Sequence, residues 1–258
     1  MKHLLTILLL LVAFPAIVSA HSICEVRADA NADCEADNVN QPVVVEGIVI
    51  MWKEFGTRGP GAIYSEASGC CISIFDIDLA PNIPVGTRIQ VSGWMGPFNG
   101  LDEIVDNPAN GAEDPIVTIL DPGPFTFPCT FIRSSQIADN SATAEVLESC
   151  CVQICGHFEA TGTFAANTNY VFIDAFGESC IIRIDGDTDI DGTAIPTGAV
   201  TVSGVLGQFD RTGAGGTRVP CTGYQILPPS LADFKPGNNC TVAVEGVPWG
   251  TVKSLYRD

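Results

Sequence analysis

Apolar residues run almost unbroken over 43–52, with Gly47 inside the run. That length and β-branched content predict a strand, and a glycine within a strand marks a bend or bulge. The turn "GTRGPG" follows, then "AIYSE" and "CCISIFDI" separated by "ASG". After the loop "APNIPVG", "TRIQVSGWM" alternates as a strand, and "GPFNGLDEIVDN" turns into a fifth. A further β segment is expected at 116–120. Short strands at this spacing, punctuated by turn residues, predict a small barrel or sandwich.

The pattern then recurs. Gly47 to Cys71 is a step of 24 residues, and so is Gly156 to Cys180. "IPVGTRIQVSGWMGPFNG" runs beside "IPTGAVTVSGVLGQFD". Self-similarity at long range makes the chain a tandem of two like domains. The second copy predicts strands at 151–159, 169–175, 180–185, 199–206 and 223–227. Between the copies, 134–149 is the best helical stretch, with Ser141 or Thr143 as cap and Ala144, Val146 and Leu147 on one face. "PPSLADFKPGNN" reads as a linker. In the tail, Pro248, Trp249, Val252 and Tyr256 predict a short C-terminal helix, docked or serving as a recognition tail.

A glycine-bent first strand, a turn before strand three and "V-x-V-S-G" as strand four resemble the OB-fold. The matching stretches are "VVVEGIVI…IYSEASGCCISIF…GTRIQVSGWMGPFNGLDEIV" and "IADNSATAEVLESCCVQICG…NYVFIDAFGESCIIRI…GAVTVSGVLGQFD". Both copies are similar to the bacterial extracellular OB-fold domains found beside secreted nucleases, here as a pair without a nuclease domain. The resemblance implies an all-β fold of two tandem five-stranded OB-fold-like barrels, with a short connecting helix and a short C-terminal helix. Its motifs are turns, bends and core alternation, so they speak to fold before function. The expected division is a signal peptide at 1–20, an acidic lead-in at 21–41, barrels at 42–125 and 126–234, and a linker and tail at 235–258.

The start changes the picture of compartment. Lys2, the apolar run 4–12 and Val18-Ser19-Ala20 read as a secretory signal cleaved near Ala20, too short and interrupted by Pro15 to span a bilayer. Eleven cysteines in an exported chain imply disulfides, and an odd number leaves one thiol free or paired between molecules. Candidates are Cys24, Cys34, Cys71, Cys150, Cys151, Cys155 and Cys180, with Cys24 and Cys34 the simplest pair because they close a short loop. Charge is −18, from 12 basic and 30 acidic residues. Such a balance disfavours tight binding of nucleic acid and attracts cations, though it also serves solubility. Arg58, Arg88, Arg211 and Arg218 are the residues from which a local basic patch would be built.

Candidate chemistry is sparse. "DGDTDIDG" places Asp187, Asp189 and Asp191 at alternate positions before Gly192, which opens a calcium-loop pattern; the twelfth position is Gly198 in place of an acid. The alternative is a solvated acidic turn. Copy one offers Asp76 and Asp78. Asp29, Asn31, Asp33, Glu35 and Asp37 alternate in the lead-in, where a solvated segment is expected. Zinc on Cys150, Cys151 and Cys155 would need reduced thiolates, so disulfides are favoured. His21 as a new N-terminus invites comparison with a copper histidine brace, for which only His157 is left as partner. No G-x-S-x-G or H-E-x-x-H is present. Aromatics remain: Trp52, Tyr64, Trp94 and Tyr170 are the ligand-binding candidates, because OB-folds often bind by stacking. Trp52 and Trp94 face Thr161 and Val205 in the other copy, so they are freer to be functional. Phe98 and Phe209 occupy equivalent positions and are expected to plug the cores.

The expectation is therefore a secreted, non-catalytic binding or assembly module whose ligand is a glycan, a protein or a nucleic acid. Competing readings are an accessory subunit of a secreted nuclease or other enzyme, a copper oxidative enzyme, and an envelope or matrix component cross-linked through its odd cysteine.

Overall fold

The computed structural model describes residues 20–56, 59–75, 82–109, 115–213 and 216–237. The expected leader apart from Ala20, the tail 238–258 with its expected helix, Arg58, Asp76 and Asp78 lie outside them.

The lead-in carries a short helix, α1 (Ile23–Val26). The first barrel follows with β1 (Pro42–Met51), β2 (Gly61–Tyr64), β3 (Cys71–Ile74), β4 (Arg88–Phe98) and β5 (Leu101–Val105). These close in the order β1-β2-β3-β5-β4 and back to β1, with β3 and β5 parallel and the other neighbours antiparallel. β6 (Ile116–Asp121) lies antiparallel along the first half of β4. The connection holds β7 (Thr130–Phe131), a 3-10 turn (Ser134–Ile137) and α2 (Ala142–Leu147). The second barrel uses β8 (Cys151–Phe158), β9 (Thr168–Asp174), β10 (Ser179–Ile184) and β11 (Val200–Gln208). A small hairpin, β12 (Arg211–Thr212) with β13 (Arg218–Val219), leads into β14 (Tyr224–Leu227). The barrel closes β8-β9-β10-β14-β11-β8, again with one parallel pair, β10 with β14. Two tandem five-stranded OB-fold-like barrels make an all-β fold.

The expected linker is instead part of the sheet. β15 (Phe234–Pro236) pairs with Val200–Val202 of β11, as β6 pairs with β4 in the first copy. Each fourth strand is longer than the fifth can cover, and the sixth segment satisfies the main-chain groups left over.

The anchor glycines are explained by strand crossing. A Cβ on Gly156 would stand 1.9 Å from the Ile173 carbonyl oxygen, and one on Gly47 would stand 3.0 Å from that of Tyr64. Only glycine lets the first strand bend that closely over the second.

The lead-in packs on the first barrel, while its Asn31, Asp33, Glu35 and Asp37 stay exposed as expected. Ile23, Val26 and Ala36 are buried in the core of the first barrel, whose open end α1 closes. Apolar residues three apart on one helical turn face the same way, and here that way is inward. In the second copy, Ile137 and Ala144 do the same work. The single helix expected over 134–149 breaks at Asn140, which has φ of 62°. Ala144 is buried, whereas Val146 is 66% exposed, so they do not share a packed face. Ser141 precedes α2 with no side-chain cap; its hydroxyl donates to the Gln136 carbonyl at 2.8 Å.

Four disulfides are formed, Cys24–Cys70, Cys34–Cys221, Cys71–Cys150 and Cys129–Cys151, and Cys155 is disulfide-bonded as well. The simple Cys24–Cys34 loop does not form: α1 holds Cys24 against the first barrel, and Cys34 reaches the second. Vicinal cysteines on extended backbone point to opposite sides. Cys71 and Cys150 accordingly join the barrels, while Cys70 and Cys151 staple outward to other segments. Cys180 is the free, buried thiol among the described residues and is not a disulfide partner. Burial pushes its pKa up to about 12. Disulfides of this number belong to an oxidising compartment, and no described helix is long and apolar enough to cross a membrane.

Candidate functional site

The barrels meet on a seam of Ile50, Met51, Phe55, Ala62, Cys71, Cys150, Val205 and Leu227. Beside this apolar patch lies a buried polar cluster centred on Arg27, whose side chain is 7% exposed. The guanidinium donates to the Cys71 carbonyl (3.1 Å), the Glu145 carbonyl (2.9 Å) and the Glu148 carbonyl (3.2 Å). It also pairs with Asp102 Oδ2 at 3.4 Å and Glu148 Oε1 at 3.2 Å. One side chain thus ties the lead-in, the first barrel and the connecting segment together. Ser73 and Ser149 hydroxyls meet at 2.8 Å across the same junction, and Tyr224 donates to Glu145.

Arg27 faces Asp102, Glu145 and Glu148, Glu103 lies beside them, and burial governs all four carboxyls. Burial raises the pKa of Asp102 and Glu145, with Arg27 only partly opposing it. Glu148 rises to about 8, again from burial against the pull of Arg27. Glu103 is raised well above the usual carboxylate range by burial and by Glu148 and Asp102. Groups whose folded pKa is raised contribute stability that is fully present below their unfolded pKa and is lost as pH rises through the folded one. We therefore expect the urea midpoint to fall between about pH 4.5 and 8, and Glu148→Gln to flatten that fall. A midpoint that rises or stays level over that window would contradict the assignment.

A cleft of about 480 Å³ opens between the barrels on one side of this cluster, within the usual size of small-ligand sites. The first barrel contributes Phe55, Pro60, Phe75, Phe98 and Glu103; the second contributes Arg183, Gln208, Phe209 and Arg211 among others. The β4–β5 hairpin sets its edge: the Asn99 carbonyl accepts from Asp210 N at 2.6 Å, so the two barrels are joined there by main chain. Phe75 and Phe98 stack with centroids 5.6 Å apart and planes at 7°. Phe209 meets Phe98 edge-on at 6.4 Å. Phe98 is 49% and Phe209 54% exposed. Glu103 and Gln208 line the cleft, and Glu103 Oε2 and Gln208 Oε1 are buried with no hydrogen-bond partner among the described residues, as are Asp102 Oδ1 and Glu148 Oε2 in the adjoining cluster. Buried polar atoms are paired in nearly all cases, so two unpaired oxygens in one cleft are unusual. A second groove, about 510 Å³, lies on the far side of the cluster between the lead-in and α2 and is bordered by the Cys24–Cys70 and Cys34–Cys221 bridges.

The structure puts the sequence candidates elsewhere. Trp52 is 2% exposed and fills the first barrel, so its ring offers no stacking surface. Tyr170 is buried in the second barrel against Phe158 and Phe164, its hydroxyl accepting from Ala165 N at 2.7 Å. Tyr64 packs on the seam, and Trp94 is half-buried opposite Pro42 and Val105. None of the four lines the cleft. The expected core plugs, Phe98 and Phe209, do line it, together with Phe55, Phe75 and Tyr224. The repeat relation was a sound signal, but it marked a shared exposed position.

Asp187, Asp189 and Asp191 do not converge; among the described residues no group of three or more such side chains is placed to hold a metal ion. Asp189 is engaged in a turn, accepting from Leu231 N at 2.7 Å and Ser230 Oγ at 3.3 Å. In the lead-in, Asp29 accepts from Cys34 N at 2.8 Å and Asp37 from Ala30 N at 2.9 Å, which uses those carboxylates to order the loop. His21 Nδ1 accepts from Val44 N at 3.2 Å, and His157 stands exposed on β8, in no shared site. Cys150, Cys151 and Cys155 are all in disulfides, which removes the thiolates a zinc site needs. The arginines form no common groove: Arg88 lies over Phe125 and pairs with Glu66, Arg211 pairs with Asp139 at 3.3 Å, and Arg218 is exposed on β13.

No protein-family model matches this chain, and no curated protein matches it. Among solved structures it is similar to the HINa domain of Ifi202 in complex with 20-base-pair double-stranded DNA: 13% identity, 73% of this chain and 92% of that chain, TM-score 0.35. It is also similar to a murine DNA-binding protein bound to double-stranded DNA: 9% identity, 72% and 90% covered, TM-score 0.36. A likeness this distant assigns no ligand to this chain.

Proposed function

We propose that this chain is a secreted, non-catalytic binding module whose ligand sits in the cleft between its two barrels. The observation that carries this is the pair Phe98 and Phe209: matched positions in the two copies, both about half exposed, facing one another across the seam. Large apolar rings held in the open beside unpaired buried oxygens suit a ligand that brings both an apolar face and hydrogen-bond donors. The disulfides support export. An assembly role through a spare thiol loses its chemical basis at Cys180, which is buried with a raised pKa.

The test is a ligand screen with glycans, single-stranded DNA and basic peptides on wild type and on Phe98→Ala and Phe209→Ala. Both side chains are largely exposed, so the fold is expected to be kept. Any specific ligand should bind at least about tenfold more weakly to each variant, equivalent to ~1.4 kcal/mol. Unchanged affinity in both would place the ligand elsewhere and overturn the proposal.

A further inference from the structure

The unpaired groups in the cleft narrow the chemistry of what fills it. Glu103 Oε2 and Gln208 Oε1 are both oxygens, both buried, and both without a donor among the described residues. The Gln208 amide nitrogen is spent on Asp210 Oδ1 at 3.0 Å, which fixes the amide oxygen as the free end. The Gln208 amide oxygen therefore needs an N–H or O–H from the ligand, and the Glu103 carboxylate needs one once its proton is lost.

Three further features separate a cation from a neutral donor. The faces of Phe75, Phe98 and Phe209 present negative quadrupole density, which attracts alkylammonium and guanidinium groups. Behind Glu103 lie Asp102 and Glu148, and each acts on it in the sense that favours a bound proton or a cation. The whole chain carries −18, which draws cations toward any cleft. Of the positive side chains in the cleft, Arg211 is paired with Asp139, and Arg183 donates to the neutral Asn169 Oδ1 at 3.2 Å and shares the lining with Asp185. Asp185 adds a carboxylate to the lining, and Tyr224 directs its hydroxyl away to Glu145.

We infer that the cleft receives an organic cation, an alkylammonium or guanidinium group, that lies against the Phe98 and Phe209 rings and hydrogen-bonds to the Glu103 carboxylate and the Gln208 amide oxygen. This rests on the cleft being the ligand site. Burial and the neighbouring Glu148 and Asp102 favour the protonated form of Glu103, so pairing with the incoming cation is expected to release its O–H proton to buffer. A lysine or arginine side chain of a protein partner and a free polyamine share this chemistry.

The experiment titrates the full chain, by NMR chemical-shift perturbation, with Ac-Gly-Arg-Gly-amide, Ac-Gly-Lys-Gly-amide, spermidine, the neutral citrulline analogue of the arginine peptide, and cellotetraose. The expected result is binding of cationic probes, with affinity rising with pH by at most about tenfold per unit, as loss of one proton requires. Glu103→Gln, which keeps size and removes the charge, should weaken binding at least about tenfold and abolish the pH dependence. Phe209→Ala should weaken it without any demand on folding. Stronger binding of the peptides than of spermidine identifies a protein side chain as the source, and the reverse identifies a polyamine; either supports the inference. If the citrulline peptide or cellotetraose binds as well as the cations and Phe209→Ala weakens it, the cation inference falls and the cleft remains the site. If cationic probes bind unchanged to Glu103→Gln and Phe209→Ala, the inference falls and the cleft is not where they bind. No binding by any cationic probe overturns the inference as well.

Discussion

Replacing Arg27 by methionine is expected to cost about 3–5 kcal/mol of unfolding free energy, the usual loss when one partner of a buried ion pair is removed. Methionine keeps much of the volume, so the loss reports charge and hydrogen bonds. Asp102 and Glu148 would be left without their counter-charge, and the carbonyls of Cys71, Glu145 and Glu148 would lose their donor. Lysine should rescue only part, because one ammonium cannot reproduce a planar fork reaching five acceptors. Denaturant melts at neutral pH measure this directly. Because burial favours the protonated form of both carboxyls, the part of the cost that comes from unpaired charge should shrink as pH falls. A loss below about 1 kcal/mol would show that the cluster is not the junction between lead-in and barrels.

Removing the Cys34–Cys221 bridge with serine at both positions is the second large effect. The bridge spans 187 residues and ties the lead-in of the first barrel to the strand connection before β14 of the second. A loop of that length predicts up to about 5 kcal/mol from chain entropy alone. Cys71–Cys150 already holds the barrels together, so the loss should come nearer 2–3 kcal/mol, at the lower part of the usual range. The order of the two single-bridge losses is informative. If removing Cys34–Cys221 changes nothing measurable while removing Cys71–Cys150 does, the lead-in is held by α1 and Arg27 alone.

The barrels themselves were legible because their signals are local and repeated. Gly47 and Gly156 announce bends that any closed small barrel needs, and the alternation in "TRIQVSGWM" sets the faces of β4 before folding is considered. The segment "LDEIV" held more than was read from it. Two adjacent acids on a short strand of a closed barrel must point to opposite sides, so Asp102 and Glu103 had to meet either core or seam. That alone could have drawn attention to the junction. Arg27 gave no such sign, since one arginine in an acidic lead-in has no period and its five acceptors come from segments far apart in the chain.

The cysteines and phenylalanines show where sequence stops. Matched spacing paired Cys71 with Cys180, but strand pairing does not: Ile63 lies opposite Ile72, and its counterpart Phe172 lies opposite Cys180. The hairpin between the second and third strands thus differs by one residue in register, and a one-residue shift turns a side chain to the other face. Cys180 therefore shares the buried position of Ile72, while Cys71 looks outward to Cys150. Likewise the repeat shows that Phe98 and Phe209 are equivalent, and only the docking of one barrel on the other shows that they open onto a common cleft. What the chain determined by itself was the compartment's chemistry, the number of barrels and the positions of most of their strands, because composition, periodicity and turn residues act within a few residues of one another. Which faces meet, which thiols pair and which carboxyls lose their water were decided by tertiary structure, because burial and contact depend on distances that no spacing along the chain records.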